Sequence, residues 1–167
     1  MFILLDIDGV MVTTGGWKKP EILDDQFSSF NSRAAANLQR IISETGASIV
    51  LTTSHKSSFS ISEWENIFKK RGINTFSIKR LENNSNNLSR KDEILNWLNN
   101  SNESVGNFVI IDDDKSLNDL PYEIKKKCVI THSLIGLNED CTIDAINILK
   151  NSNNELNIHR ERELVHA

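Results

Sequence analysis

The sequence predicts an α/β fold built on a largely parallel sheet of five strands, and three observations carry that expectation. Short apolar runs with β-branched character read as buried strands. Stretches of helical periodicity alternate with them, the pattern of βα units and parallel pairing. Polar residues collect where the strands end, and parallel sheets bind ligands beyond that carboxyl edge.

The first strand is Phe2-Ile3-Leu4-Leu5, which runs into Asp6-Ile7-Asp8-Gly9. Met11 to Gln26, with Gly15-Gly16-Trp17 and Pro20, is a loop beside those aspartates; Trp17, Lys18 and Lys19 are candidate rim residues. Asn31 or Ser32 caps a helix through Leu38, Ile41 and Ile42 that stops at Gly46. Ala47 to Thr53 is the second strand, followed by Ser54-His55-Lys56. Ser62 is the expected cap of a helix carrying Trp64, Ile67 and Phe68, and Ile73 to Ile78 is the expected third strand. An Asn-rich loop, 83–87, precedes a helix opened by Ser89, with Arg90 and Lys91 in its first turn. Cations at a helix start oppose the macrodipole, so another use for them is indicated. Asn107 to Ile111 is the fourth strand and runs into Asp112-Asp113-Asp114. Cys128 to Thr131 is the fifth, and Asn138 caps a last helix through Ile146 and Leu149.

The 167 residues, 38% hydrophobic and 25% charged, suit one domain over 1–150 and a polar tail over 151–167. No basic region leads a long apolar run and none reaches membrane-spanning length, so a soluble, cytoplasmic protein with no membrane partner is expected. Cys128 and Cys141 lack zinc-like spacing and read as reduced packing residues. A net charge of −4 argues against broad binding to a polyanion but permits recognition of a single phosphate.

Asp6 and Asp8 are one residue apart at a strand end, so their side chains can converge. Two carboxylates about 4 Å apart repel by roughly 4 kcal/mol at an effective dielectric of about 20, and a hard divalent cation offsets that. Alone, Asp-x-Asp-Gly also suits an Asx-type turn. Here four stretches deliver polar groups to one edge: Asp6 and Asp8, Thr52-Thr53-Ser54, Arg90-Lys91, and Asp112-Asp113-Asp114. Carboxylates without a Cys or His cluster suit Mg²⁺, and hydroxyls with a nearby cation suit a phosphate. One aspartate can attack phosphorus while a second moves the proton. This chemistry is phosphomonoester hydrolysis. His55 and His132 read as solvated loop residues; His159 and His166 lie in the tail.

These stretches, in this order, resemble the four motifs of the haloacid dehalogenase (HAD) superfamily of Mg²⁺-dependent phosphohydrolases. The resemblance implies a three-layer α/β/α Rossmann-like sandwich. Asp6-Ile7-Asp8-Gly9-Val10 is similar to the first motif, which implies Asp6 as nucleophile and Asp8 as general acid/base. Ile49 to Ser54 is similar to the second, implying phosphate binding by a hydroxyl; Thr53 is favoured, with Thr52 and Ser54 as the other registers. Arg90 or Lys91 supplies the third motif's cation. Val109 to Asp113 is similar to the fourth, implying a metal held by Asp6, Asp8 and Asp113, with Asp112 a ligand or just behind one, and Asp114 an exposed turn residue.

The intervals between motifs leave little room for a cap domain. Thr53-Ser54-His55-Lys56, Arg90 to Leu98 and Thr131-His132 to Gly136-Leu137 further resemble the compact HAD domains associated with RNA repair proteins. That similarity implies a phosphorylated substrate at a nucleic-acid end or a nucleotide. Ser54-His55-Lys56 stands where that group often has Ser-Trp-Arg. The alternatives are a phosphatase for small metabolites or proteins, and a catalytically idle HAD-like or receiver-like phospho-acceptor module. Asp8 separates a receiver-like module from a hydrolase, since a slow receiver needs no acid/base two residues on, and retained Asp6, Asp8 and Asp113 argue against an idle HAD.

Overall fold

A computed structural model describes residues 1–101 and 107–151. Its five strands are β1 (Phe2–Leu5), β2 (Ser48–Leu51), β3 (Ile78–Arg80), β4 (Phe108–Asp112) and β5 (Cys128–Ile130). They lie in the order β3-β2-β1-β4-β5, and every neighbouring pair is parallel. Helices α1 (Ser32–Thr45), α2 (Ile61–Lys70), α3 (Arg90–Asn100), α4 (Tyr122–Lys125) and α5 (residues 139–151) fill the connections. The architecture is the Rossmann-like α/β sandwich the sequence predicts.

Alternate residues of the central strands feed two cores, as the period of two requires. Ile3, Leu5, Ile49, Leu51, Val109 and Ile111 pack with Leu38 and Ile41 of α1, Trp64 and Phe68 of α2, and Ile146 and Leu149 of α5. Leu4, Val50 and Ile110 face the other way, onto Ile94 of α3 and onto Leu117 and Leu120. Fully burying a Leu or Ile contributes roughly 1.5–3 kcal/mol, so this two-sided cover is what holds the short strands.

The helix ends follow from local chemistry. Asn31 Oδ1 accepts from the amides of Arg33 and Ala34, and Gly46, at φ 71°, terminates α1 in the left-handed region. The expected cap at Ser62 is corrected to Ser60. Ser60 Oγ accepts from Glu63 N, and the Glu63 carboxylate accepts from Ser60 N, a reciprocal box that starts the helix at Ile61. Asn138 Oδ1 accepts from Cys141 N at the start of α5.

The third strand is also corrected, from 73–78 to Ile78–Arg80. Ile73 is buried, but its amide bonds back to Phe68 O, so it closes α2 rather than opening a strand. Cys128 and Cys141 are free thiols. Among the described residues, no helix is long and apolar enough to cross a membrane. The expected tail lies outside the described residues beyond Asn151, which still belongs to α5.

Candidate active site

The sheet register builds the site. Leu5 pairs with Leu51 on one side and Ile111 on the other. The ladder runs one step further, Thr52 N donating to Leu5 O and Asp6 N to Ile111 O. Asp6, Thr52 and Asp112 therefore stand level across the sheet's carboxyl edge. They share the face of Leu4, Val50 and Ile110, which α3 covers.

Arg90 opens α3 and reaches all three. Its Nη1 donates to Thr52 Oγ1 at 2.9 Å and to Asp112 Oδ2 at 3.1 Å, and lies 3.4 Å from Asp6 Oδ1. Its Nε is buried without a hydrogen-bond partner among the described residues, 3.6 Å from Glu93 Oε2. Glu93 also accepts from the buried Lys56 Nζ at 2.9 Å. Arg90 and Glu93, three apart in α3, thus present one face to the site.

Asp6, Asp112 and Asp113 each offer an oxygen, all within 4.8 Å of one another. Asp113 lies against the turn after β1: a Cβ on Gly9 would come within 2.1 Å of Asp113 Oδ2, and Gly9 has φ 78°. Only glycine accepts both that approach and that backbone conformation. Burial raises the pKa of Asp6, against the lowering effect of Arg90, and the charges of Asp113 and Asp8 raise it further. Burial and then the Asp6 charge push Asp112 up to about 7, and burial raises Asp113. One guanidinium among these carboxylates leaves them short of positive charge. The donor set, all carboxylate oxygen with no sulfur or imidazole, fits a hard divalent cation.

The remaining candidates sit as follows. Asp8 is half-exposed beside this group, and its Oδ2 meets His55 Nε2 at 2.9 Å. Thr53, buried, caps the turn after β2, its Oγ1 accepting from His55 N at 3.3 Å. Ser54 is exposed. Lys91 participates through its backbone N–H, which donates to Ser116 Oγ at 3.3 Å, so Arg90 is the cation whose side chain joins the group. Asp114 caps a 3-10 turn over Lys115–Asp119 by accepting from Ser116 N. Trp17, Lys18 and Lys19 are all exposed. His132 closes its own loop, Nδ1 accepting from Leu134 N. His55 departs from the solvated-loop expectation, because its ring is engaged by Asp8 and by Phe27.

A family model described as the HAD domain in Swiss Army Knife RNA repair proteins matches residues 2–141. The chain belongs to this HAD family. No curated protein and no solved structure matches it significantly. All four stretches that converge on the carboxyl edge of this HAD domain fall inside the matched span. The β1–α1 interval holds only loop with the isolated bridges Asp8–Val12 and Ile22–Ser28. The β2–α3 interval holds a 3-10 turn over Ser54–Ser57, α2, β3 and the Asn-rich loop. Among the described residues, no inserted sheet or bundle therefore roofs the aspartates of the HAD domain.

Proposed function

We propose that this HAD domain is a Mg²⁺-dependent phosphomonoesterase that works through an aspartyl-phosphate on Asp6, acting on a nucleic-acid end or a nucleotide. The observation that carries the reading is the Asp6–Arg90–Thr52–Asp112 group, with Asp113 beside it. A nucleophilic carboxylate, an anion-binding guanidinium and a hydroxyl lie within one phosphoryl group's reach.

In this mechanism, Asp6 attacks phosphorus and the bond to the leaving oxygen breaks as Asp8 protonates that oxygen. Asp8 then takes a proton from water, which attacks the phosphoryl group and regenerates the Asp6 carboxylate. Arg90 and Thr52 bind phosphoryl oxygens throughout, the guanidinium meeting charge that grows in the transition state. Asp6, Asp112 and Asp113 would hold Mg²⁺, which when bound neutralises charge between nucleophile and phosphate. Two features favour the nucleic-acid end: the family's RNA repair description, and the lack, among the described residues, of a roof over the site, which leaves room for a bulky substrate.

Asp6→Asn tests the reading. The change is nearly isosteric and removes the attacking charge, so the purified variant should fold and lose turnover on phosphomonoesters. Wild-type rates in a folded Asp6→Asn protein would overturn it. A wild-type chain inert towards mononucleotides, oligonucleotide ends and small phosphate esters would favour the idle-module alternative.

A further inference from the structure

We infer that His55 is a positioning residue: its Nε2–H holds Oδ2 of Asp8 and leaves Oδ1 aimed at the leaving group. The inference rests on the phosphomonoesterase reading and deepens it.

The geometry is specific. Asp8 is a short side chain, 51% exposed, and among the described residues its side-chain partner is His55 Nε2 at 2.9 Å. An acid left to sample rotamers in water is seldom in reach of the atom it must protonate, and small misplacements are expensive in rate. His55 is itself anchored at both ends. Its backbone N–H donates to Thr53 Oγ1, and its carbonyl accepts from Ser58 N at 2.9 Å within the 3-10 turn. Its ring stands edge-on to Phe27, centroids 5.5 Å apart at 78°. Phe27 is buried and makes further edge contacts with Phe30, Phe59 and Trp64. The imidazole therefore rests on the core while Nε2 faces the acid/base.

The proton balance is simple. Asp8 Oδ1 gives its proton to the leaving oxygen as the P–O bond breaks and the Asp6–phosphorus bond forms. His55 keeps its own proton throughout. Its hydrogen bond to Oδ2 strengthens as Asp8 becomes a carboxylate, because bonds to an ionised acceptor are the stronger kind. The benefit falls on substrates whose leaving group needs a proton. An aryl phosphate with a good leaving group needs little.

The test is a double-mutant cycle of His55→Ala and Asp8→Asn, with His55→Gln added, measured as kcat and KM on an alkyl phosphate and on p-nitrophenyl phosphate. His55→Ala should lower kcat on the alkyl ester by about tenfold or more, with KM and the aryl rate little changed. In the Asp8→Asn background it should lower kcat no further. His55→Gln, which keeps an N–H donor, should recover much of the loss. Thermal melts of each variant separate unfolding from lost positioning, and His55→Gln carries the comparison if His55→Ala is unstable. Equal losses on both esters, no loss on either, or fully additive losses in the cycle would overturn the assignment while leaving the phosphatase reading in place. An inert wild type would sink both.

Discussion

Thr52 and Thr53 are adjacent, chemically identical and both buried, yet their hydroxyls serve different partners. Thr52 continues the face of Val50 and meets Arg90, whereas Thr53 holds the turn after β2 through His55 N. Thr52→Val should therefore lower kcat/KM by about tenfold or more, equivalent to roughly 1.4 kcal/mol, with little loss of stability. Thr53→Val should instead lose about 1 kcal/mol of stability, as removal of a cap does, and retain most activity. Steady-state kinetics and urea melts on both variants decide between them, and the reverse pattern would assign the phosphate contact to Thr53. The sequence alone could not choose, because alternation along a strand is legible only once register and covering helix are known. Asp6 and Asp112 were easier to find, since a carboxylate ending an apolar run is conspicuous in any register. The His55–Asp8 contact was illegible for a different reason: 47 residues separate the partners, and only the turn after β2 brings them together.

At the scale of elements, the loop before α1 is tied to α2 by Arg71. Its guanidinium pairs with both Asp25 oxygens, donates to the carbonyls of Phe27, Ser28 and Ile67, and lies over the Phe30 ring at 5.0 Å. Asp25 responds with a carboxyl held below its usual range, chiefly by the Arg71 hydrogen bond. With the Arg71 side chain only 3% exposed, removing it strands a nearly buried carboxylate and three carbonyls. Arg71→Ala should therefore lose about 3–5 kcal/mol in denaturant unfolding, as broken buried pairs do. A loss under about 1 kcal/mol would show that water replaces the guanidinium readily. The well-read elements were those with continuous apolar cores, β1, β2 and β4. The third strand was misplaced because β3 is an edge carrying exposed Lys79 and Arg80, while the more apolar Ile73 serves the end of α2.

For the whole molecule, the crowded aspartates make stability depend on pH, and under the proposed function on metal as well. Asp112 titrates near 7 in the fold against an ordinary value of 3.8, so between those values the folded state binds more protons than the unfolded one. Without metal, that contribution stabilises most below about pH 4 and fades as pH rises towards 7. A cation needs the ionised carboxylates, so its effect runs the other way. Thermal melts should show a larger Mg²⁺ response at about pH 8 than at about pH 5.5, reaching roughly 2.7 kcal/mol at a hundredfold excess over Kd. Melts unmoved by Mg²⁺ at the higher pH would remove the metal from the site. The edge, unroofed among the described residues, should also accept an oligonucleotide end about as well as a mononucleotide, with a shallow salt slope of about one to three counterions given the acidic chain. A preference for the mononucleotide above about tenfold in kcat/KM would count against the nucleic-acid end.

The strand order carries one more consequence. β1, which bears Asp6, is hydrogen-bonded on both flanks by β2 and β4, which bear Thr52 and Asp112, while β3 and β5 form the borders. Partial opening proceeds from borders inward, so amide protons of the three inner strands should exchange slowest with heavy water. The candidate site is thus mounted on the part of the sheet that opens last, and a molecule frayed at either border still holds Asp6, Thr52 and Asp112 in register.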